Sequence, residues 1–282
     1  MPHPRLLLPV TFALLCLAGC ATKPTASAQT SYVAVKPENA TTDVAAIVAR
    51  PGNLSALTGG LAGRTLDVTS LDDVKLQPRE VILTFDDGPI PGKTERILAT
   101  LDTFGVKATF LMVGEMAKTY PDIAQLVQKH GHAIGSHTYR HANLQNLNFE
   151  AALAEINRGK RAVENAIGEE AHFFRFPYLA DTKRLRTGLK NRGDIVLDVD
   201  VDSKDYFKVT PDAVIGRTMA TLRDKGQGII LMHDIHTRTE TMLPALLKRL
   251  RHDGYRVVTL RFGKPKDAPL LARLTPLSSP KA

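Results

Sequence analysis

The feature that most constrains the fold is an alternation of apolar runs with helical patterns, which begins at residue 80. Strands separated by helices pair in parallel through right-handed crossovers. Parallel strands are covered on both faces, so they consist of near-continuous apolar residues. The alternation therefore predicts an α/β fold, either an incomplete (β/α) barrel or an open doubly wound sheet. The seven predicted strands are VILTF (81–85), ATFLMV (108–113), AIGS (133–136), FFRF (173–176), IVLDV (195–199), GIILM (228–232) and RVVTL (256–260).

Helical patterns occupy most of the intervals between these runs. Apolar residues recur three and four positions apart, as on one face of a helix. Pro, Asn or Thr stands at several of the starts and Gly follows the ends, as is typical of helix caps. The predicted helices cover about 94–104, 121–130, 148–167, 210–226 and 239–252.

Polar residues that can do chemistry end or follow five of the seven runs. In either architecture, ligands bind at the carboxyl ends of parallel strands. The topology is therefore expected to bring these residues to one rim. They are Asp86 and Asp87, His137 and His141, Arg175 with Tyr178, the group Asp200, Asp202 and Asp205, and His233 with Asp234.

The motif HTYRH places His137 and His141 four positions apart, so both imidazoles fall on one face of a helical turn. Two such histidines and one carboxylate are typical of an open metal site. The same spacing is common on protein surfaces, so the prediction of a metal site depends on the aspartate pair expected nearby. No HExxH motif is present, which gives a zincin-type protease no support.

Asp86 and Asp87 stand side by side in the segment TFDDGP. Neighbouring carboxylates repel each other, and both stay ionised only when cations are close. A divalent metal would supply that charge for one of them and Arg175 for the other. One aspartate would then ligate the metal while its neighbour accepts a proton from an activated water. The alternative is an ordinary surface turn, for which DDGP is also a suitable sequence.

Five motifs follow one another along the chain, namely TFDDGP, SHTYRH, RFPY, DVDSKDY and LMH. Together they resemble the motifs of the polysaccharide deacetylases, the NodB-like proteins of carbohydrate esterase family 4. The resemblance covers about residues 78–262 and implies the NodB-homology fold. That fold is an incomplete or distorted (β/α) barrel of about seven parallel strands, and the expected catalytic domain is 78–264.

The resemblance also implies a role for each motif residue. Asp87, His137 and His141 would ligate a divalent metal, usually zinc, with cobalt or nickel as alternatives. The implied catalytic residues are Asp86 as general base, Arg175 to orient it, His233 as general acid and Asp205 to hold the His233 ring. Tyr178, through its backbone, and Leu231 would form the acetate pocket.

The implied activity is removal of N-acetyl groups from a polymer that contains N-acetylglucosamine, such as peptidoglycan, chitin or an exopolysaccharide. Amide hydrolysis needs an activated water, stabilisation of an oxyanion and a proton for the leaving amine, and these residue types supply all three. Two alternatives stay open. One is an O-acetyl esterase of the xylan type, and the other is a glycan-binding lipoprotein without catalysis.

The fourth motif departs from the family pattern. It usually ends in Asp-Trp, whereas this chain has Asp205-Tyr206 and contains no tryptophan. Tyrosine can replace the apolar face of the indole and adds a hydroxyl. We therefore expect Tyr206 to alter substrate fit without abolishing catalysis.

The amino terminus has the pattern of an export signal, with Arg5 before an apolar segment too short to span a bilayer comfortably. The segment ends in LAGC, which resembles the lipobox of bacterial lipoproteins with Cys20 as the lipidated residue. We expect a signal peptide at 1–19, a lipidated tether and ambiguous segment at 20–77, and a tail at 265–282. The protein would be anchored in the cell envelope, at the outer membrane if the host is Gram-negative.

The cysteine count and the charge distribution exclude further classes. Cleavage before Cys20 removes Cys16, so the mature chain has no cysteine pair for an internal disulfide. The net charge is +8, but Lys and Arg form no block of five or more, which gives nucleic-acid binding no support. The basic run 183–192 is interpreted as the solvated face of a helix, with contact to an anionic wall polymer as the alternative. No protein partner is evident, and the expected partners are an acetylated glycan and, through Cys20, the membrane.

Overall fold

The computed structural model of the protein describes residues 60–263. The predicted signal peptide, Cys20, most of the tether and the tail at 265–282 lie outside the described residues. Within residues 60–263, no helix is long and apolar enough to cross a lipid bilayer.

The described residues form nine strands and seven α-helices. The strands are β1 Ala62–Val68, β2 Glu80–Asp86, β3 Thr109–Met112, β4 Ala133–Ser136, β5 Phe173–Phe174, β6 Ile195–Val196, β7 Val201–Asp202, β8 Gly228–His233 and β9 Arg256–Phe262. The helices are α1 Lys93–Thr103, α2 Gly114–Thr119, α3 Pro121–Lys129, α4 Phe149–Ile167, α5 Lys183–Asn191, α6 Pro211–Lys225 and α7 Thr237–His252. Short 3₁₀-helices lie at Leu71–Asp73, Leu144–Asn146 and Pro177–Leu179.

Seven strands, β2 to β8, form the wall of an incomplete barrel. From β2 the pairing runs through β3, β4 and β5 to β6 in one direction, and through β8 to β7 in the other. All of these pairs are parallel. Among the described residues no pairing joins β6 to β7, so the barrel is open there. The predicted fold class, an incomplete barrel of parallel strands, is confirmed.

Two strands lie outside this ring. β1 pairs in parallel with β9, and β9 pairs only with the first two residues of β2, Glu80 and Val81. The predicted strand at 256–260 therefore extends the sheet instead of closing the barrel. β1 falls in a stretch for which the sequence predicts no element, because its first four residues are exposed and it contains no long apolar run.

Side chains along β2 alternate between two apolar clusters, as strand geometry requires. Leu83 and Phe85 pack in a cluster with helix residues such as Leu246 of α7. Ile82 belongs to a separate cluster that includes Val258 of β9. Every residue of β2 is buried as far as Asp86, so the strand is covered on both faces up to the rim where the charged residues begin.

Side-chain caps set the boundaries of the longer helices. The Asn148 side chain accepts a hydrogen bond from the Ala151 N–H at the start of α4, and Gly168 ends that helix with φ of +76°. Thr210 and Gly226 do the same for α6. The predicted boundaries of these two helices are confirmed, since capping oxygens and left-handed glycines satisfy backbone groups that the helix leaves free.

Candidate active site

The carboxyl ends of the barrel strands surround a cavity of about 480 Å³. Its lining comes from β2, β7 and β8 near their carboxyl ends and from the loops after β2, β4, β5, β7 and β8. The sequence places polar residues at four of these strand ends and, for the fourth group along the chain, after the run 195–199, which forms β6 and the segment that leads to β7. The lining residues are Asp86, Asp87, His137, His141, Phe176, Tyr178, Leu179, Asp202, Tyr206, Leu231, His233 and His236. Arg175 and Asp205 lie behind this lining and contact it through hydrogen bonds.

The backbone turns sharply where β2 ends. Asp87 has φ of +81°, a left-handed conformation that is uncommon for residues other than glycine. The turn is held because the Asp87 N–H donates to the Leu111 carbonyl of β3 at 3.2 Å. Regular strand geometry would send Asp86 and Asp87 to opposite faces, whereas this turn lets both side chains line the cavity. Backbone strain of this kind is concentrated at functional sites.

Three potential metal ligands converge beside the turn, namely Asp87, His137 and His141. Asp87 Oδ1 lies 3.6 Å from His137 Nε2 and 3.3 Å from His141 Nε2. His137 Nδ1 lies 2.8 Å from the Arg175 carbonyl, which can only accept, so Nδ1 carries the proton. The Nε2 lone pair therefore points toward the aspartates. Burial lowers the pKa of His137, which favours the same neutral, ligating form.

The carboxylate of Asp87 shows that a cation suits this cluster. Its Oδ1 is buried and accepts no hydrogen bond from the described residues, although buried carboxylate oxygens normally do. It faces the lone pair of His137 Nε2, and a shared cation would turn that repulsion into attraction. One carboxylate and two imidazoles, with donor atoms within 4.8 Å of one another, are a donor set that zinc takes. The residues therefore fit a divalent metal.

Arg175 holds Asp86 from inside the barrel. The Arg175 side chain is 1% exposed, and its Nη1 donates to Asp86 Oδ1 at 2.8 Å and to Thr84 Oγ1 at 2.7 Å. The same guanidinium donates to the carbonyls of Leu197 and Asp198, both at 3.2 Å. A buried charge pair persists only when such further hydrogen bonds satisfy it. The contact of Arg175 with Asp86 matches the sequence expectation, while Thr84 and the two carbonyls give no signal in the sequence.

His233 and Asp205 form a second charged pair at the rim. His233 Nδ1 lies 2.7 Å from Asp205 Oδ1, and the His233 backbone N–H donates to Asp205 Oδ2 at 2.8 Å. The Thr239 hydroxyl, which nothing in the sequence singles out, also donates to Asp205 Oδ2. Burial lowers the pKa of His233, but the hydrogen bond and charge of Asp205 and the nearby aspartates outweigh it and raise the pKa to about 9. At neutral pH the imidazole is therefore protonated.

Asp234 lies beneath the aspartate turn and is 1% exposed. Its Oδ2 accepts a hydrogen bond from the Thr94 hydroxyl at 2.7 Å, and its N–H donates to the Asp86 carbonyl at 3.3 Å. A Cβ atom on Gly88 would lie 2.0 Å from the same Oδ2, so the carboxylate fills the space that glycine leaves. Burial raises the pKa of Asp234 to about 7. Asp234 thus supports the turn from behind, although the sequence shows only that it adjoins His233.

Apolar and aromatic side chains form one wall of the cavity. Leu231 and Phe176 are buried there. Tyr178 stands at the mouth with 66% of its surface exposed, and its backbone is left-handed with φ of +59°. Its ring meets the His141 ring edge to face, with centroids 4.6 Å apart. The wall therefore combines an apolar surface with the Tyr178 ring, which covers one side of the potential metal ligand His141.

Tyr206 also lines the cavity and is 42% exposed. Its hydroxyl donates to Asp202 Oδ2 at 2.9 Å. Its ring lies edge to face against His233, with centroids 5.5 Å apart. Burial and the Asp202 hydrogen bond raise the pKa of Tyr206 to about 12, so the hydroxyl remains protonated. The added hydroxyl is thus paired with a carboxylate of the cavity lining.

His236 lines the cavity, whereas Asp200 does not. His236, to which the sequence assigned no role, lines the cavity with its ring centroid 5.7 Å from that of His233. Asp200 takes no part in the cavity lining, because its Oδ2 accepts from the Ile229 N–H at 2.9 Å and holds the start of β8. An aspartate beside a strand can thus serve a backbone amide, and sequence alone does not separate that role from catalysis.

A second histidine cluster lies before β4. The donor atoms of Asp102, His130 and His132 are within 4.8 Å of one another. The Ala108 N–H donates to His132 Nδ1 at 3.1 Å, so the proton of the neutral ring sits on Nε2. A ring with one nitrogen occupied and the other protonated has no lone pair for a metal. Asp102 is also engaged by His130 at 2.6 Å and Lys107 at 3.2 Å, which is typical of an ion-pair cluster.

Comparison with known sequences gives consistent matches. A family model described as polysaccharide deacetylase matches residues 73–193. A peptidoglycan-N-acetylglucosamine deacetylase of Bacillus cereus is 36% identical over 183 residues, which are 61% of this chain and 66% of that protein. A chitin deacetylase of Colletotrichum lindemuthianum is 30% identical over 196 residues, which are 65% of this chain and 79% of that protein.

Comparison with solved structures also finds a similar fold in a peptidoglycan deacetylase. A peptidoglycan deacetylase of Bdellovibrio bacteriovorus superposes with a TM-score of 0.64 at 32% identity, over 73% of this chain and 58% of that one. This chain spans less than two thirds of the length of that protein and of the Bacillus cereus relative. The similarity therefore concerns part of their length.

Proposed function

The chain belongs to the polysaccharide deacetylase family, and from that premise we propose that it is a metal-dependent hydrolase of envelope polysaccharide. It would remove N-acetyl groups from N-acetylglucosamine units. The observation that carries the proposal is the convergence of three groups on one cavity. These are the Asp86–Arg175 pair, the Asp87–His137–His141 cluster and the His233–Asp205 pair.

The metal would be held by Asp87, His137 and His141, with zinc as the proposed ion and cobalt or nickel as alternatives. A divalent cation bound there supplies Lewis acidity, which activates water and polarises the acetyl carbonyl. The proton transfers then fall to Asp86 and His233.

Asp86 is proposed as the general base. Arg175 occupies its Oδ1 at 2.8 Å, while its Oδ2 lies 3.8 Å from His137 Nε2, on the side of the ligand cluster. The oxygen that faces the cluster is therefore the one free to take a proton from the attacking water. Arg175 acts through Asp86 by fixing the plane of the carboxylate, so we assign it a positioning role.

His233 is proposed as the general acid. Asp205 accepts the Nδ1 proton, so Nε2 is the nitrogen left to donate toward the substrate. With a pKa of about 9, the imidazole holds that proton at neutral pH. As the acetyl C–N bond breaks, the proton passes to the leaving nitrogen, and the products are acetate and a free amine. Asp205 is accordingly a positioning residue.

The acetyl group would sit against the apolar wall. Leu231 and Phe176 offer a buried surface for its methyl group. The backbone at Tyr178 is proposed to contribute to the oxyanion site, which requires a donor aimed at the developing charge. Tyr206 and its partner Asp202 would contact the sugar, where a hydroxyl bonded to a carboxylate offers groups that an indole lacks.

Peptidoglycan is the proposed substrate. Two relatives are named peptidoglycan deacetylases and one is named a chitin deacetylase, and both polymers contain N-acetylglucosamine. The proposed envelope location favours the wall polymer.

Acetate release is the direct test of the activity. Full-length protein supplied with zinc is expected to release acetate from peptidoglycan and from chitin oligomers. Release from acetylated xylan alone would identify an O-acetyl esterase instead. No release from any of the three glycans would contradict the hydrolase assignment and favour a glycan-binding protein.

We further propose that Cys20 anchors the protein in the cell envelope, at the outer membrane if the host is Gram-negative. Metabolic labelling with palmitate is expected to mark the wild-type protein and to fail with Cys20→Ser, because Cys20 is the only cysteine left after cleavage of the leader. Cys16→Ser serves as the control and is expected to keep the label. A wild-type protein without label would rule out the anchor.

A further inference from the structure

A basic groove lies behind the loop that carries the two histidines of the ligand cluster. It is a surface cavity of about 460 Å³ bordered by α2, α3 and α4. Its charged lining consists of Lys118, Arg158 and Arg161, all exposed, with Tyr139 and Asn165 as polar neighbours. None of the described residues that line it is acidic.

The cations of the groove are not paired with carboxylates of the surrounding described residues. Its three cations form no salt bridge within residues 60–263. The acidic residues nearest along α4 are bonded elsewhere, since Glu155 accepts from the Arg140 N–H and Glu164 accepts from the Ala171 N–H. Three unpaired cations that share one concave surface attract an anion more strongly than the same charges spread over a convex face.

The groove borders the loop that carries two residues of the candidate active site. Tyr139 lies between His137 and His141 in the chain, and the Arg158 guanidinium stacks over its ring at 3.6 Å from the centroid. Gly159 packs directly on the same loop, because a Cβ atom there would lie 2.3 Å from the Thr138 carbonyl carbon. The close approach of α4 that this glycine allows places the cations one loop away from the ligand cluster.

We propose that this groove binds carboxylate groups of an acidic glycan polymer while an N-acetyl group of the same polymer occupies the active-site cavity. The inference rests on the proposed function and refines its substrate. Peptidoglycan carries carboxylates on its peptide stems, whereas chitin is neutral. A concave groove beside the ligand loop fits a side group of a strand that already lies in the cavity, and it fits the flat surface of a membrane poorly.

The test compares two variants that remove the same charge from different faces. The groove variant is Lys118→Ala with Arg161→Ala, which leaves the packing of Arg158 on Tyr139 intact. The control is Lys248→Ala with Arg251→Ala, two exposed cations on α7. The groove variant is expected to raise KM for soluble peptidoglycan fragments about fivefold to tenfold, as two exposed charge contacts would, with kcat unchanged. Both variants are expected to match wild type on neutral chitin oligomers.

Two further experiments test whether the carboxylates of peptidoglycan are what the groove binds. With peptidoglycan whose carboxylates have been amidated, wild type and the groove variant are expected to have the same KM. Cosedimentation with insoluble peptidoglycan is expected to weaken with salt for wild type and much less for the groove variant.

Equal KM values for the groove and control variants, or an equal rise on chitin oligomers, would overturn the proposal. Loss of binding to phosphatidylglycerol vesicles with an unchanged peptidoglycan KM would assign the groove to a membrane and overturn it as well. If no glycan yields acetate, the proposed function fails, and salt-sensitive cosedimentation still decides whether the groove binds the polymer.

Discussion

Asp86→Asn is expected to lower kcat for acetate release by about 10³-fold while the bound metal is retained. Asparagine has the shape of aspartate and can still accept the Arg175 hydrogen bond through its amide oxygen. Its other terminal group is an NH₂, which cannot take a proton from water. Elemental analysis and kcat, measured on the same preparation, check the two halves of this expectation.

The neighbouring residue provides the matched contrast. Asp87→Ala removes one of the three donors of the cluster, so it is expected to lose most of the bound metal together with activity. The Asp86→Asn variant needs a control for folding, because it removes the buried counter-charge of Arg175. Thermal denaturation of that variant should therefore accompany the assays. Wild-type turnover in Asp86→Asn, or full metal content in Asp87→Ala, would refute the division of roles between the two aspartates.

Asp205→Asn is expected to move the alkaline limb of the kcat profile to lower pH and to reduce kcat by about 10²-fold at neutral pH. The general acid works only in its protonated form, so wild-type kcat should fall as pH rises through about 9, the pKa of His233. Burial lowers that pKa, and the main opposing influences are the hydrogen bond to the Asp205 carboxylate and then its charge. Without the charge, the effect of burial dominates, and His233 loses its proton at lower pH.

The control removes a carboxylate from the same cavity without touching the Asp205–His233 pair. Asp202→Asn leaves that 2.7 Å contact in place, so the position of the alkaline limb should stay near that of wild type. An identical shift in both variants would mean that His233 responds to the general potential of the cavity and not to Asp205. An unshifted limb in Asp205→Asn would remove His233 as the titrating acid.

The location of the site in the fold could be predicted from the sequence, because the order of strands and helices shows that the strands are parallel without any knowledge of side-chain contacts. Once successive strands are parallel, Asp86, His137 and His233 must reach the same end of the barrel whatever the details of packing. Six of the seven ring strands follow from the same pattern, whereas β7 at Val201–Asp202 was not predicted. The sequence placed RVVTL in that ring, because an apolar run shows that a strand is buried but does not show its neighbours.

The contacts that hold the site could not be predicted, because they join distant parts of the chain. Thr84 meets Arg175 across 91 positions and Thr239 meets Asp205 across 34. A threonine inside a strand or helix carries no local mark of such a bond. The left-handed backbone at Asp87 was equally hidden, since only tertiary structure makes an aspartate adopt a conformation that glycine adopts freely.

The carboxylate of Asp234 in the space above Gly88 links two motifs that lie far apart in the chain. Alanine at position 88 and aspartate at position 234 would claim the same volume, so neither site can be exchanged independently. A chimaera that takes its first motif from one relative and its fifth from another would keep the turn only if these two positions came from the same parent. Gly88 of the first motif and Asp234, which directly follows the fifth, therefore have to be exchanged together, and the Thr94 hydroxyl donates to the carboxylate that joins them.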